Sequence, residues 1–422
     1  MSAIDRLLDG IAVPAVVRVR QTFERPRLED PVAELAAQLK AKGTLTGVKR
    51  GHRIAITAGS RGITALPEML RTLAAAVREA GAEPFLVPAM GSHGGATAEG
   101  QRNMLIGMGI TEDAVGAPIR ATMETVEIGR TAAGNPVYLD KYAHEADGIL
   151  VINRLKPHVS FRGPYESGLA KMIVIGLGKQ KGADTCHELG AGMMAENIPA
   201  MAAVTLAKAN IIAGVAIIEN AYHETSRLAV LAGSEIMAGE PALLEEARRL
   251  CPRLYFDSLD VLVIDEIGKD ISGTGFDTNI VGRYHTPNIS GGPRIARMAV
   301  LDLTERTHGN ANGLGLADFT TRRVFDKFDF ANTYPNSLTT TATASVKIPM
   351  VLGSDRQAIQ AAIKTCNIAD KGTVRLVRIK NTVALDEIEV SESLLGEVAA
   401  SRYMTAAGGP YALPFDVAGN LR

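Results

Sequence analysis

Three of the eight histidines in the sequence lie in loops where glycine or proline interrupts the chain. His93 and His158 each follow closely after a strand-like apolar run, and His187 ends a segment rich in glycine and lysine. Histidine changes protonation near neutral pH, so it can act as a general acid, a general base or a metal ligand. Position alone leaves a functional and an ordinary structural role open for these three. The histidines without distinctive surroundings, which we expect to be ordinary, are His52, His144, His223 and His308.

Lysines in the same stretch of the chain could bind an anion or become covalently modified. Lys171 precedes the wholly apolar run 172–175. A lysine that enters a buried segment must lower its pKa, pair with an anion or be modified, unless its ammonium group reaches the surface. Lys179 and Lys181 follow the glycine-containing segment 176–178, where a flexible backbone and two cations could hold a phosphate. The segment matches neither a Walker pattern nor GxGxxG.

The elements that must position these residues are predicted to be parallel strands. The apolar run 53–57 leads into Ser60 and Arg61, and the run 84–88 leads into His93. Helical stretches alternate with such runs, which is typical of a parallel sheet covered by helices. Because ligands bind these sheets at the carboxyl ends of the strands, we expect both loops to line a binding site.

The order of these residues resembles that of the nickel-dependent lactate racemase family. The N-terminal domain of that family carries an arginine-containing loop, a G-x-H loop and a P-H…S-G-x-x-K…H segment. This chain has S-R at 60–61 and G-S-H at 91–93, followed by R-L-K-P-H ending at His158, S-G-L-A-K ending at Lys171 and C-H ending at His187. The resemblance covers about the first half of the chain.

The resemblance implies a role for each matching residue. Lys171 would be bound covalently to a nickel-pincer nucleotide, pyridinium-3,5-bisthiocarboxylic acid mononucleotide with nickel. His187 would be the protein's ligand to the metal, since imidazole together with sulfur donors suits Ni(II). His93 and His158 would alternate as general base and general acid, and Arg61 would bind the substrate carboxylate.

The activity implied by the resemblance is racemisation or C2 epimerisation of a 2-hydroxy acid. A hydride would pass from the substrate to the tethered cofactor and return to the opposite face, while the histidines exchange the hydroxyl proton. We also assign Ser60, Lys179 and Lys181 to the cofactor-binding residues. The expected partners are a small 2-hydroxy acid substrate and the cofactor-maturation enzymes, and the oligomeric state is left open.

Several departures from the family pattern indicate a divergent member. Ala58 stands three residues before Arg61, where the family usually has an acidic residue. Three extra residues separate His158 from Lys171 relative to the lactate racemase pattern, and the chain contains no tryptophan. A Y-Q-x-x-K segment, which supplies substrate contacts from the second domain, is missing. We therefore expect a substrate other than lactate.

Polar, glycine-rich segments in the second half could replace the missing contacts, or could be ordinary turns. They are residues 273–285, 310–315 and 318–321. If they reach the site, their hydroxyl and amide groups would suit a sugar acid such as an aldonate.

Two other functions stay open. A dehydratase or a redox enzyme that releases the 2-keto acid could use the same scaffold. A binding or regulatory protein could keep the fold and the histidines without the cofactor, and the absence of an acidic residue at Ala58 favours this alternative.

The pattern along the whole chain predicts an α/β protein. We expect two α/β domains with mainly parallel sheets flanked by helices and an active-site cleft between them. The strand–helix pattern restarts near Cys251. We therefore place a lactate-racemase-like catalytic and cofactor domain at residues 1–250 and a C-terminal α/β domain at residues 251–422.

Composition disfavours several classes of protein. The 45 Lys and Arg residues nearly balance the 46 Asp and Glu residues, so clustered positive charge for nucleic acid or an anionic membrane is missing. The long apolar stretch 198–218 contains Lys208 and Asn210, which predicts a core helix and a buried strand rather than a membrane span. Three widely spaced cysteines argue against a disulfide framework and favour a cytoplasmic location.

Overall fold

The structure, a computed structural model, describes residues 2–188, 190–287 and 289–422. The chain divides into two compact units. We call Glu24–Cys251 the central unit, and Met1–Phe23 together with Pro252–Arg422 the terminal unit. Both units combine strands with helices, so the predicted α/β fold class is confirmed.

The strands of the described residues fall into two larger sheets and one small antiparallel pair. In chain order they are β1 (Val16–Gln21), β2 (Arg53–Ala58), β3 (Glu83–Pro88), β4 (Thr125–Arg130), β5 (Pro136–Asp140), β6 (Gly148–Arg154), β7 (Ile211–Glu219), β8 (Thr225–Ala232), β9 (Ser258–Ile267), β10 (Arg294–Leu303), β11 (Phe319–Thr321), β12 (Met350–Leu352), β13 (Leu376–Ile379), β14 (Glu387–Ser391) and β15 (Met404–Tyr411).

The helices range from single turns to helices of four turns. In chain order they are α1 (Ala3–Leu8), α2 (Pro31–Ala41), α3 (Leu66–Glu79), α4 (Ala98–Gly107), α5 (Glu112–Val115), α6 (Lys141–His144), α7 (Leu169–Lys171), α8 (Lys179–His187), α9 (Met194–Lys208), α10 (Ile236–Leu250), α11 (Thr278–Val281), α12 (Arg322–Lys327), α13 (Phe330–Thr340), α14 (Asp355–Thr365) and α15 (Leu395–Ala400).

The central unit is built on a five-stranded sheet with the order β3-β2-β6-β7-β8. The first four strands are parallel, and β8 pairs antiparallel with β7. Helices cover both faces of this sheet. Each strand contributes to both contacts, since its successive side chains point to opposite sides. In β6, Leu150 and Ile152 pack in the cluster that contains α3, whereas Ile149 and Val151 pack in the cluster that contains α10. This burial fixes the edge at which the loops after β2, β3 and β6 emerge.

The long apolar stretch 198–218 folds as predicted, into most of α9 followed by β7. Among the residues that the structure describes, no helix has both the length and the apolar character needed to cross a membrane.

The terminal unit contains an eight-stranded mixed sheet with the order β12-β11-β10-β9-β13-β14-β1-β15. The strands from β12 to β13 are parallel, and β14, β1 and β15 add antiparallel pairs. The sequence-based division placed residues 1–23 in the first domain. The structure corrects this assignment, because β1 pairs with β14 on one side and β15 on the other and so completes the terminal sheet.

We predict that Val17→Ala loosens the terminal unit. Val17 is 1% exposed and lies opposite Val390 of β14, so the loss of two methyl groups should lower the free energy of unfolding by about 2 kcal/mol. Hydrogen–deuterium exchange should speed up in β14 and β15 and stay unchanged in β6. Val417→Ala is the matched control, because Val417 is fully exposed in the same unit. Faster exchange in β6 instead would contradict the assignment of β1.

Candidate active site

Four of the sequence-predicted site residues lie in loops at the carboxyl ends of three neighbouring strands. Ser60 and Arg61 follow β2, His93 follows β3, and His158 follows β6. These strands are adjacent and parallel, in the order β3-β2-β6. The loops therefore emerge at one edge of the sheet, which is where ligands bind in folds of this kind.

A hydrogen bond joins the first two loops. Ser60 Oγ lies 2.7 Å from Nδ1 of His93, and the direction of donation depends on the tautomer of the ring. The buried Gln101 of α4 holds the backbone of the His93 loop, because its Nε2 donates to the carbonyl oxygens of Gly91 at 2.8 Å and of His93 at 3.2 Å. His93 is thus held through both its ring and its backbone.

The loop that carries His158 is closed at its base. Lys156 and Ser167 exchange two backbone hydrogen bonds, of 2.9 and 3.2 Å, which join the two ends of the loop. Within it, the backbone N–H of Ser160 donates to Nδ1 of His158 at 3.1 Å. The imidazole also packs against the ring of Phe161, with 4.4 Å between the ring centres.

The site contains a direct contact between two candidate residues. Nζ of Lys171 lies 2.9 Å from Nε2 of His158. Since Nδ1 of His158 accepts the Ser160 N–H, the neutral ring carries its proton on Nε2. That N–H can donate only to a lone pair, which the lysine offers when it is a neutral amine.

The surroundings of Lys171 make its neutral amine form more accessible than that of an ordinary lysine. Burial lowers the pKa of Lys171 to about 8; the neighbouring Cys186 opposes this change, and the positive charges of Arg61 and Lys156 add to it. Lys171 ends the single turn α7 and is followed by a π-helical turn over Met172–Gly176. Turns of this kind recur at functional sites, where they redirect side chains.

His187 lies at the end of α8 and is close enough to Lys171 to interact with it electrostatically. Burial lowers the pKa of His187 to about 4, and the positive charge of Lys171 lowers it further. The ring is therefore neutral at pH 7 and keeps a lone pair that can bind a metal. Its neighbour Cys186 is anchored in an apolar cluster with Ala170 and Val174, and burial raises the pKa of that thiol to about 12.

Comparison with known proteins finds a similarity in the first half of the chain. Residues 22–198 match the family model described as the lactate racemase N-terminal domain. This part of the chain is similar to that domain. Among solved structures, the lactate racemase apoprotein from Thermoanaerobacterium thermosaccharolyticum aligns with 88% of this chain and 99% of its own, with 11% sequence identity and a TM-score of 0.49. No curated protein matches the sequence.

Lys179 of this lactate racemase-like protein has a structural role, which corrects its sequence-based assignment to the cofactor site. Its side chain has no exposed surface, and Nζ lies 3.0 Å from Oδ2 of the equally buried Asp140. Nζ also donates to Oε1 of Gln101 at 3.1 Å and to the carbonyl oxygen of Pro88. These partners occupy the ammonium group, so it supports the His93 loop through Gln101 and does not face a ligand.

Lys181 also lies apart from the contact between His158 and Lys171. It is exposed on α8, and its Nζ lies 5.8 Å from the centre of the Tyr138 ring. The cofactor role of Lys181 stays a prediction.

Sequence analysis missed the buried polar residues that hold these loops. Gln101, Glu166 and Glu240 are all buried, with no exposed surface. Glu166 lies inside the motif region, where an acidic residue among glycines was a usable signal. Glu240 lies far along the chain from Lys171, so its contact with the start of α7 has no local signal in the sequence.

The polar segments of the terminal unit serve that unit's own fold. Arg283 forms an ion pair with Asp318 at 2.7 Å, and the amide of Asn312 donates to a backbone carbonyl of the first segment at 2.9 Å. The hydroxyls of Thr320 and Thr321 donate to backbone carbonyls of β10 at 2.9 and 2.8 Å. For these five residues, the ordinary structural role explains the polar side chain.

We predict that Lys179→Met is strongly destabilising and that Lys181→Met is nearly neutral. The first change leaves Asp140 buried without its cation, which should cost about 3–5 kcal/mol of unfolding free energy. The second removes an exposed cation and should change it by less than about 0.5 kcal/mol. Urea denaturation of both variants measures the difference. Equal effects would contradict the structural role of Lys179.

We predict that the amine of Lys171 reacts with cyanate at a lower pH than an ordinary lysine. Only the neutral amine reacts, so the rate constant should rise with pH around a midpoint of about 8 and then level off. An ordinary lysine would show a midpoint at about 10.4. Peptide mass spectrometry at a series of pH values measures the rate, with the exposed Lys208 as an internal reference. A midpoint near 10 for Lys171 would contradict the environment described above.

Proposed function

We propose that this lactate racemase-like protein is an isomerase that racemises a 2-hydroxy acid or epimerises it at C2. It would act with a nickel-pincer nucleotide bound covalently to Lys171. The observation that carries the proposal is the 2.9 Å contact between Lys171 and His158, with His187 and Arg61 close enough to interact electrostatically with the same lysine. An amine, a metal-binding imidazole, a proton-transferring imidazole and a carboxylate-binding cation are the groups that this reaction requires.

The residues fit such a cofactor. A lysine that is neutral near pH 8 can form an amide-type bond, and a neutral His187 can bind nickel. The described residues contain no cluster of three or more His, Cys, Asp or Glu side chains that could hold a metal ion. A metal at His187 would therefore need further donors from the bound group, such as its sulfur atoms. When bound, the group supplies the carbon that accepts the hydride from C2 of the substrate.

The protein's own residues would bind the substrate and move its proton. Arg61 would bind the carboxylate, since its planar group makes two charge-assisted hydrogen bonds. Once Lys171 carries the group, its nitrogen would no longer offer a basic lone pair to Nε2 of His158. To accept the substrate's hydroxyl proton at Nε2, the neutral ring would have to carry its own proton on Nδ1, which would end the hydrogen bond from the Ser160 N–H. His93 would serve the opposite enantiomer, with its ring oriented by Ser60. Proton transfer of this kind contributes about 10²–10⁴-fold to the rate.

The test is to produce the chain with and without the cofactor-maturation enzymes and to measure its intact mass and nickel content. The wild type should gain the mass of the cofactor on Lys171 and one nickel ion per chain. Lys171→Arg should gain neither, and His187→Ala should keep the adduct and lose nickel. Lys208→Arg is the matched control, because Lys208 is exposed on α9 and distant in sequence from the site residues.

Activity assays on the loaded protein test the roles of the histidines. Assayed on a panel of 2-hydroxy acids that includes aldonates, His93→Ala and His158→Ala should keep the adduct and lose about 10²-fold or more in kcat. Internal hydride transfer should leave solvent deuterium out of C2 in the product. Accumulation of a keto acid would favour the redox alternative, and protein with neither nickel nor adduct would favour the binding alternative.

A further inference from the structure

A buried carboxylate holds the backbone of the loop that carries His158. Oε2 of Glu166 accepts the backbone N–H of His158 at 2.6 Å, and Oε1 accepts that of Gly163 at 3.0 Å. Arg248 of α10 donates to Oε1 of Glu166 at 2.5 Å and to the carbonyl oxygen of Gly163 at 2.9 Å. Arg162 lies 3.7 Å from the other carboxylate oxygen. Glu166 therefore ties both ends of the loop interior to α10.

A second buried carboxylate holds the start of α7, the turn that ends in Lys171. Oε2 of Glu240 accepts the backbone N–H of Ala170 at 2.8 Å. A Cβ atom at Gly168 would lie only 2.1 Å from Oε1 of Glu240, so the close approach of the two segments requires glycine there. Burial raises the pKa of Glu240 to about 7, so this carboxyl group is partly protonated at neutral pH.

Both carboxylates are organised by one helix that lies outside residues 22–198, the part of the chain that matches the racemase domain. Glu240 and Arg248 are separated by about two turns of α10, or roughly 12 Å. Three residues before Glu240 on α10, the carbonyl oxygen of Met237 accepts a hydrogen bond from the hydroxyl of Tyr165 at 2.6 Å. The segment from His158 to Lys171 is thus attached to α10 along its length.

We propose that Glu166 and Glu240 are positioning residues that keep His158 and Lys171 in contact. Their importance for catalysis rests on the function proposed above, but their effect on geometry does not. Apolar side chains of similar size would pack in the same places without burying charge, and buried ionic groups are often no more stabilising than such replacements. What the carboxylates add is a fixed position for two backbone N–H groups, those of His158 and Ala170.

The test measures how fast diethyl pyrocarbonate modifies His158 relative to the exposed His144 in the full chain without cofactor. In the wild type, both ring nitrogens of His158 are engaged, by Lys171 and by Ser160, so its modification should be slow. Lys171→Met removes one of these partners. Its ratio of His158 to His144 modification therefore sets the upper limit expected for the other variants.

Glu166→Met and Glu240→Met remove the acceptors of the His158 and Ala170 N–H groups and should raise the ratio of His158 to His144 modification at least about fivefold, the factor expected for loss of a fixed hydrogen bond. Glu240→Gln keeps an acceptor for the N–H of Ala170 and should restore the wild-type ratio. Glu246→Gln is the matched control on α10, because Glu246 pairs with Arg227 and not with this segment. The reaction is run well below the Tm of each variant. Faster modification of His158 then reports a displaced loop and not unfolding of the chain.

A ratio within about twofold of the wild type in both Glu166→Met and Glu240→Met would overturn the proposal, whatever their Tm. If either variant fails to fold, Arg248→Met replaces the first and Gly168→Ala replaces the second, since each disturbs the same contact from its other side. An unchanged ratio in the replacement overturns the proposal equally. Because neither cofactor nor substrate is present, failure of the proposed isomerase function would leave this result unaffected.

Discussion

The contact between Nζ of Lys171 and Nε2 of His158 is the interaction on which the site depends. Two basic groups can share a hydrogen bond only if one of them gives up its extra proton, and desolvation supplies the driving force for that loss. The positive charges of Arg61 and Lys156 add to this driving force, since they repel a positive charge on Lys171. The same lack of solvent keeps His187 neutral. The lowered pKa values of the Lys171 amine and of the His187 imidazole thus have one common cause.

Maintaining this arrangement requires buried polar residues behind each loop. Gln101 and Lys179 support the His93 loop, Glu166 supports the His158 loop, and Glu240 supports the start of α7. Each of them bonds mainly to backbone groups or to another of these residues. A rigid parallel sheet places the loops at one edge, but these contacts determine where the side chains lie within each loop.

Sequence reasoning succeeded where the signal is local. Strand-like runs followed by polar loops predicted the places of Ser60, Arg61 and His93, and the order of motifs predicted the similarity of residues 22–198 to the lactate racemase N-terminal domain. It failed for Lys179, because the partner Asp140 is distant in sequence and gives no local sign of a buried ion pair. It also assigned β1 to the wrong domain, because the partners of β1, β14 and β15, lie near the other end of the chain. Both errors come from long-range pairing, which local periodicity does not report.

The three additional residues that the sequence resemblance places between His158 and Lys171 would be accommodated by the same contacts. Extra residues in a flexible loop would let His158 move away from Lys171, because a longer chain has more conformations to lose on ordering. Here the loop is closed at Lys156 and Ser167, and Glu166 binds its interior, so the added length is taken up between fixed points. A divergent spacing is therefore compatible with the short distance between the two side chains. The motif can change its length without changing the geometry that we propose for the reaction.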